Sequence, residues 1–391
     1  MFKPNLVDSI ISFTMCILMI IAPLTALSSN YEEISLDEET SKYYTAGSLN
    51  LAGFQSGSIH SNDTISVGNQ YACAVSNGDV KCWGYNFYGT IGYIGTPGEG
   101  LEYGSEYNKE FPTPVNSLLS HYGYFVEVVT GATSTCALNT NGEIYCWGWD
   151  GFGQLGNEDN DVSQSGQDRE IFAPSLVHLP ENSSAVSMAS SESHHKCAIL
   201  NNSDTVCWGT NNYGQLGAGW DCWEDQDSCT EMETINTEAG TSFPQIVDFP
   251  GSKSAISIDA GDEFTCAITN DNSIYCWGRN SYGQIGDGTY QTRDEPTLTE
   301  LPGDREAVSI ALASNSACAI SMDQNVYCWG QGSVGQLGNG NNATRNTPTL
   351  VTLEEGDNPV SISAGGAFYC IILDTGQARC WGENWHGGLG D

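Results

Sequence analysis

The cysteines of this chain are spaced for disulfide chemistry. Twelve of the 15 cysteines form six local pairs whose members lie nine or ten positions apart. The pairs are Cys73 with Cys82, Cys136 with Cys146, Cys197 with Cys207, Cys266 with Cys276, Cys318 with Cys328, and Cys370 with Cys380. A seventh pair, Cys222 and Cys229, lies in one insertion, and Cys16 lies near the N-terminus. Zinc is the competing interpretation, but structural zinc sites usually show Cys-x2–4-Cys spacing, which this chain lacks.

Each pair fits the two strands of a β-hairpin. Asn77-Gly78 lies midway in the first pair, and Asn-Gly is the favoured two-residue hairpin turn because both positions need positive φ. Counting outward from this turn places Cys73 opposite Cys82, at a separation that a disulfide accepts. The other five pairs are one residue longer, which predicts three-residue turns with a left-handed glycine, as at Gly142 and Gly376.

The cysteines and the N-terminus point to the same compartment. Disulfides persist in oxidising surroundings, and each short loop closed here contributes about 2–3 kcal/mol. Lys3 precedes an apolar stretch at 10–26 and then small residues, which is typical of a signal peptide. The stretch is short for a membrane span of ~20 apolar residues. Residues 1–28 are therefore interpreted as a signal peptide or, alternatively, a membrane anchor, and the protein as secreted or cell-surface.

The charge balance argues against nucleic-acid and membrane partners. Twelve Lys and Arg against 48 Asp and Glu leave a formal net charge of −36. Nucleic-acid binding needs a basic stripe, and anionic membrane surfaces repel an acidic protein. We therefore expect no nucleic acid and no membrane contact beyond an N-terminal anchor. The acidity is interpreted as a solubility coat, with a cation-binding or basic-partner role as the alternative.

The cysteine pairs belong to a repeat that occurs six times. The shared pattern is Cys-Ala-hydrophobic, a short polar turn, Cys-Trp-Gly and then Gly-x-hydrophobic-Gly. Its tryptophans are Trp83, Trp147, Trp208, Trp277, Trp329 and Trp381. An alternating strand precedes the hairpin and a Pro-led strand follows the glycine turn, so each copy predicts four strands. Four short strands per repeat of ~50 residues are typical of a β-propeller blade.

Three copies carry a family resemblance. The segments CWGWDGFGQLG at 146–156, CWGTNNYGQLG at 207–217 and CWGRNSYGQIG at 276–286 resemble repeats of the regulator-of-chromosome-condensation family. The resemblance covers roughly residues 61–391 and implies a propeller, usually of seven blades, while it says little about function. The chain is therefore expected to be all-β, a propeller of four-stranded blades with six blades or an incomplete seven-blade ring.

The last repeat lacks its Pro-led strand, because the sequence stops at Asp391. Two explanations stay open. Residues 29–60, interpreted as a linker, contain a possible ring-closing strand at Leu49-Asn50-Leu51-Ala52, or the chain is incomplete.

Function is expected where the blades differ, because features shared by every blade are architectural. The repeated tryptophans and glycines are assigned to packing, and His194 and His195 to structural hydrogen bonds. Two insertions, 92–111 and 218–243, carry aromatic and acidic side chains of the kind that anchor partners. The candidate binding residues are Tyr93, Tyr103, Trp149, Trp220, Trp223, Glu224 and Asp225.

Metal, cofactor and glycan sites are weakly signalled. Asn157, Asp159 and Asp161 alternate as in a calcium loop but lack the glycine and glutamate spacing of an EF-hand, so no metal and no cofactor are predicted. Four Asn-x-Ser/Thr sequences are glycan acceptors in an exported protein. They begin at Asn62, Asn182, Asn201 and Asn342.

Catalytic motifs such as a Gly-x-Ser-x-Gly elbow, a phosphate loop or His-Glu-x-x-His are absent from the sequence. The prediction is a monomeric extracytoplasmic binding or scaffold propeller, not an enzyme, that recognises a protein or surface ligand through its blade loops. Two alternatives stay open. One is a regulator resembling a guanine-nucleotide exchange factor for a small GTPase, which the family resemblance implies. The other is a polymer-acting enzyme with acid/base groups in the propeller cleft.

Overall fold

The fold consists of β-strands joined by turns. The computed structural model describes residues 64–86, 88–92, 108–115, 122–157, 170–190, 194–219, 240–385 and 387–390. These ranges contain 23 strands and no helix. Accordingly, no helix suited to crossing a bilayer occurs in the ranges given.

The strands form six antiparallel sheets in chain order, and each sheet is one blade. Blade 1 contains β1 (Thr64–Gly68), β2 (Tyr71–Ser76), β3 (Asp79–Gly84) and β4 (Lys109–Pro114). Blade 2 contains β5 (Phe125–Thr130), β6 (Ser134–Asn139), β7 (Ile144–Trp149) and β8 (Glu170–Leu176). Blade 3 contains β9 (Ala185–Ser190), β10 (His195–Leu200), β11 (Thr205–Thr210) and β12 (Gly240–Ile246).

The second half continues the order. Blade 4 contains β13 (Ala255–Ala260), β14 (Phe264–Thr269), β15 (Ile274–Gly278) and β16 (Arg293–Thr299). Blade 5 contains β17 (Ala307–Ala313), β18 (Ser316–Ser321), β19 (Val326–Gly330) and β20 (Arg345–Leu350). Blade 6 contains three described strands, which are β21 (Pro359–Gly365), β22 (Phe368–Leu373) and β23 (Ala378–Gly382). The all-β propeller expected from the repeat is confirmed, with six blades.

The central hairpin of every blade is closed by a disulfide. In each hairpin the two cysteines face each other directly, with Cα atoms 4.1 Å apart, and the first turn has the expected positive φ at both Asn77 (54°) and Gly78 (83°). All six repeat pairs predicted from the spacing form. The bridges join Cys73 to Cys82, Cys136 to Cys146, Cys197 to Cys207, Cys266 to Cys276, Cys318 to Cys328, and Cys370 to Cys380. Cys222 and Cys229 lie outside the described residues, so their pairing stays a prediction.

The blades surround a central cavity and pack through their tryptophans. The first strands of all six blades line this cavity of about 750 Å³. On the third strand, each indole from blade 2 onward donates a hydrogen bond to a turn carbonyl of the preceding blade. The pairs are Trp147–Thr90 (2.9 Å), Trp208–Gln154 (3.1 Å), Trp277–Gln215 (2.9 Å), Trp329–Gln284 (2.8 Å) and Trp381–Gln336 (2.9 Å). Apolar cores accompany these bonds at the five boundaries between consecutive blades.

The boundary between blades 6 and 1 is different. Trp83 is half-buried, whereas Trp147 and Trp277 are 0% exposed, and its indole nitrogen donates to no described residue. Leu389 of blade 6 is also half-buried, whereas its equivalent Leu155 is fully enclosed. The packing role predicted for the repeated tryptophans therefore holds for most of them, but Trp83 is less buried than this role requires. The ring-closing strand predicted within 29–60 lies outside the described residues and stays a prediction.

Two carboxylates join the first strands of neighbouring blades. Glu127 Oε2 accepts a hydrogen bond from the Met188 backbone N–H (3.2 Å), and Asp259 Oδ2 accepts one from Leu312 N–H (2.8 Å). Desolvation among these strands raises the pKa of Glu127 to about 7 and that of Asp259 to about 6. Both links therefore carry a pH dependence.

Glu127→Gln is expected to stabilise the protein at pH 8 by about 1–2 kcal/mol and to leave it nearly unchanged at pH 4. Between the ordinary pKa and the raised one, the folded state binds more protons than the unfolded state, so deprotonation of Glu127 lowers stability as pH rises. The glutamine Oε1 still accepts the Met188 N–H bond. Urea unfolding of both proteins at the two pH values measures the difference, which isolates Glu127 from other titrating groups. An equal stability difference at both pH values would contradict this assignment.

Candidate functional site: the upper face of blades 1 to 4

Two sets of turns meet at one end of the ring, which we call the upper face. They are the turns between first and second strands and those between third and fourth strands. A backbone hydrogen bond joins the two sets in every blade, from the residue after Trp-Gly to the residue before the second strand. These bonds are Tyr85–Gln70, Trp149–Thr133, Thr210–His194, Arg279–Glu263, Gln331–Asn315 and Glu383–Ala367, all 2.8–3.0 Å. The variable residues after Trp-Gly therefore lie on one rigid platform.

The turn that follows Trp-Gly is locked by its own side chains. In blade 3, Asn211 Oδ1 accepts a hydrogen bond from Leu216 N–H (3.0 Å), and the same bond recurs at Asp150 and Asn280. Gly214 has φ 72°, and a Cβ there would lie 2.5 Å from the Asp294 backbone of the next blade. Only glycine allows this approach. The turn consequently holds its third residue, an aromatic one in blades 1 to 4, at the boundary with the next blade.

Four aromatic rings meet on the upper face where blades 1, 2 and 3 adjoin. We call Tyr88, Trp149, Phe152 and His194 the aromatic cluster. The Trp149 ring lies 5.1 Å from Phe152 and 5.2 Å from His194, both edge-to-face, and 6.2 Å from Tyr88. All four side chains are half-buried. Edge-to-face packing fixes the rings without covering them, so the cluster is a preorganised aromatic surface.

The two neighbouring histidines make structural contacts with other blades. His194 Nδ1 lies 3.1 Å from Thr133 Oγ1, and the fully buried His195 Nε2 lies 2.9 Å from Thr265 Oγ1 of blade 4. Burial, together with the nearby charge of Lys196, lowers the pKa of His194 to about 4 and that of His195 to about 3. Both rings are thus neutral at pH 7. The contacts agree with the predicted structural hydrogen-bonding role, and His194 additionally enters the cluster.

The boundary of blades 3 and 4 holds a cation on a ring. The Arg279 guanidinium carbon lies 5.0 Å from the centroid of the Tyr213 ring, and Arg279 forms an ion pair with Glu263. Four other basic residues of the described ranges are also paired with carboxylates. These pairs are Lys253–Asp271, Arg293–Asp287, Arg305–Asp323 and Arg379–Asp357. Most acidic side chains of the protein therefore have no basic side chain available to neutralise them.

Of the seven predicted binding residues, only Trp149 lies in the described part of the chain, at the centre of the aromatic cluster. The other six, Tyr93, Tyr103, Trp220, Trp223, Glu224 and Asp225, lie outside it. The insertion at 92–111 joins β3 to β4 and that at 218–243 joins β11 to β12, so both begin on the upper face. Phe152, which packs against Trp149 and His194, was not among the predicted residues, although an aromatic residue before the turn glycine recurs in four blades.

A metal role for this face gains no support. The described residues contain no cluster of three or more His, Cys, Asp or Glu side chains able to hold an ion. Asn157 lies within them, whereas Asp159 and Asp161 do not.

The six disulfide-closed blades with repeated Trp-Gly turns define a repeat β-propeller. The chain belongs to the family of the RCC1-like domain, whose model matches residues 39–371, and a regulator of chromosome condensation (RCC1) repeat matches residues 360–387.

Curated relatives share the domain rather than their whole length. The ultraviolet-B receptor UVR8 of Arabidopsis thaliana is 27% identical over 83% of this chain and 66% of its own length. The mitochondrial RCC1 domain-containing protein RUG3 of the same plant is 26% identical over 82% of this chain and 64% of its own. The human E3 ubiquitin-protein ligase HERC2 is 24% identical over 78% of this chain and 6% of its own. The chain thus spans two thirds or less of each relative.

Among solved structures, Prp20p of Saccharomyces cerevisiae superposes with a TM-score of 0.65 at 21% identity, covering 84% of this chain and 73% of that one. At this identity the likeness supports the fold alone.

Proposed function

We propose that the protein is an extracytoplasmic propeller that binds a partner protein through the upper face. The aromatic cluster carries this proposal. Trp and Tyr are the side chains that most often supply binding energy at protein interfaces, and rigid rings lose little conformational entropy on binding. A packed yet half-exposed group of rings has the composition of such an anchor.

The disulfides support the location. Every described blade carries one bridge, and the cysteines of blades 1 to 5 are 0% exposed. Such bridges form and persist outside the reducing cytosol. The family relation supports a binding or regulatory role, since the curated relatives include a receptor. The ligase name of HERC2 belongs to a protein of which this domain matches only 6%.

The location is tested by the intact mass of the exported protein, alkylated with and without prior reduction. We expect 14 thiols, all 15 except Cys16, to react only after reduction, and a mass that lacks about the first 28 residues. Thiols that react freely in the folded protein would overturn the extracytoplasmic assignment and would favour an intracellular regulator.

The binding face is tested by capture with the immobilised protein and its Trp149→Ala variant. We expect this variant to reduce partner capture at least about tenfold, because removal of a central aromatic anchor typically costs about 2 kcal/mol or more. Trp385→Ala is the control, since Trp385 lies in the turn that follows Trp-Gly in blade 6 and is 81% exposed. Equal capture by wild type and Trp149→Ala would overturn the role of the aromatic cluster.

A further inference from the structure

On the upper face, one cationic side chain of the protein itself lies against an aromatic ring. At two boundaries the turn aromatic of one blade lies beside the residue that follows Trp-Gly in the next blade. Tyr88 lies beside Trp149 in this way, and Tyr213 lies beside Arg279. The second of these is the cation–π contact at 5.0 Å, with Glu263 as counterion. This position of the fold therefore accommodates a planar cation on an aromatic ring.

The neighbouring boundary has the ring but no cation among the described residues. Between blades 2 and 3 the turn aromatic is Phe152, and the residue equivalent to Arg279 is Thr210. Thr210 is 5% exposed, and its Oγ1 donates to the His194 carbonyl (3.3 Å), so its side chain is occupied within its own blade. Trp149 and His194 add two further rings at this point. Within the described ranges, the cation–π contacts involve three tyrosines and none of these three rings.

We propose that the surface formed by Trp149, Phe152 and His194 binds an arginine side chain of the partner protein, in the place that Arg279 occupies one blade further on. This inference rests on the proposed function and names the chemistry of its partner. Guanidinium is favoured over ammonium because it is planar, stacks on rings and is weakly hydrated. The net charge of −36 attracts a basic segment, and five basic residues of the described ranges are already paired within the protein.

The neutral state of His194 is compatible with this occupant. Its burial lowers its pKa and keeps the ring uncharged at pH 7. The His194 ring therefore adds no positive charge to this surface. The nearby positive charge is that of the buried Lys196 ammonium group.

The test uses the purified oxidised protein and two blocked tripeptides, acetyl-Gly-Arg-Gly-amide and its citrulline analogue, which has the same shape and no charge. Binding is followed through the indole N–H signals of ¹⁵N-tryptophan-labelled protein. We expect the arginine peptide to shift the Trp149 signal and to bind about 3- to 30-fold more tightly than the citrulline peptide at low salt. The preference should be lost in Trp149→Ala and retained in Trp385→Ala.

Two substitutions exchange the arginine between the two boundaries: one adds it between blades 2 and 3, and the other removes it between blades 3 and 4. Thr210→Arg places an internal guanidinium beside Phe152 and should abolish the preference for the arginine peptide. Arg279→Thr uncovers Tyr213 and should add a second, weaker arginine site. Thermal melting of both variants verifies that they are folded. If Thr210→Arg folds poorly, the separate variants Arg279→Thr and Trp149→Ala still test the proposal.

Equal binding of the arginine and citrulline peptides by the wild type would overturn the inference, as would an unchanged preference in folded Thr210→Arg. Partner capture that depends on Trp149 without any arginine preference would reject the arginine inference and leave the proposed function standing. Loss of Trp149 dependence in capture would reject the proposed function itself. Self-association of the protein through this face, detected by sedimentation and abolished by Trp149→Ala, would also overturn the assignment to a separate partner.

Discussion

Trp277→Ala is expected to lower the free energy of unfolding by about 3–5 kcal/mol. The Trp277 side chain is 0% exposed and lies at the boundary of blades 3 and 4, where its ring centroid is 5.7 Å from that of Phe249. Its indole nitrogen donates to the Gln215 carbonyl at 2.9 Å. Truncation leaves a large cavity, which accounts for most of the loss. It also removes one of the two hydrogen bonds to the Gln215 carbonyl, which still accepts from Thr265 Oγ1 (2.9 Å).

Trp83→Ala is the matched control for this substitution. Trp83 holds the same place in its repeat, but it is half-buried and has no carbonyl acceptor among the described residues. We expect a loss of about 1 kcal/mol, typical of a substitution outside a packed core. Urea unfolding of the two variants under identical conditions provides the comparison. Equal losses would show that the boundary between blades 6 and 1 is packed as tightly as the other five.

Lys196→Met is expected to stabilise the protein by roughly 2–4 kcal/mol at pH 7 and below. Lys196 is 1% exposed, and its Nζ has no hydrogen-bond partner among the described residues. Burial lowers the pKa of its ammonium group to about 7. Methionine keeps much of the unbranched shape and volume of the side chain while removing the charge that burial disfavours.

The gain from Lys196→Met should shrink as pH rises. Between the lowered pKa and the ordinary pKa of 10.5, the unfolded state binds the proton and the folded state does not, so wild-type stability increases with pH in this window. The methionine variant lacks this increase, and the two proteins should converge toward about pH 10. Lys253→Met is the control, because Lys253 lies at the surface in an ion pair with Asp271. An exposed ion pair contributes little to stability, so this variant should stay close to the wild type at every pH. Destabilisation by Lys196→Met would contradict the interpretation.

Much of the fold could be predicted because the same local sequence pattern recurs in each blade. The distance between paired cysteines and the Asn77-Gly78 turn together specify hairpin register without any knowledge of the rest of the chain, and the register in the structure agrees. The Trp-Gly and Gly-x-hydrophobic-Gly segments likewise recur often enough to reveal a propeller. These patterns involve residues that are close together in the chain, so they can be recognised from the sequence alone.

The candidate site was less predictable because it forms between blades. Tyr88, Trp149 and His194 come from three blades, and their proximity depends on how the blades are oriented around the ring rather than on any spacing within one repeat. Lys196 shows the same limit. It occupies the position where blades 1, 2, 4 and 5 have alanine or threonine, and the repeat sequence does not indicate that its ammonium group is buried. The half-burial of Trp83 likewise reflects a boundary, not a motif.

The confinement of each described disulfide to a single hairpin has a mechanical consequence. Under a stretching force applied through the chain ends, the bridges do not hold one blade to the next, so blades can detach one at a time. Each detached blade keeps a covalent loop in which the paired cysteines are nine or ten positions apart. The length released per blade is therefore about 30 Å shorter than its residue count implies. Reducing agents should lengthen these steps in a pulling experiment without changing their number.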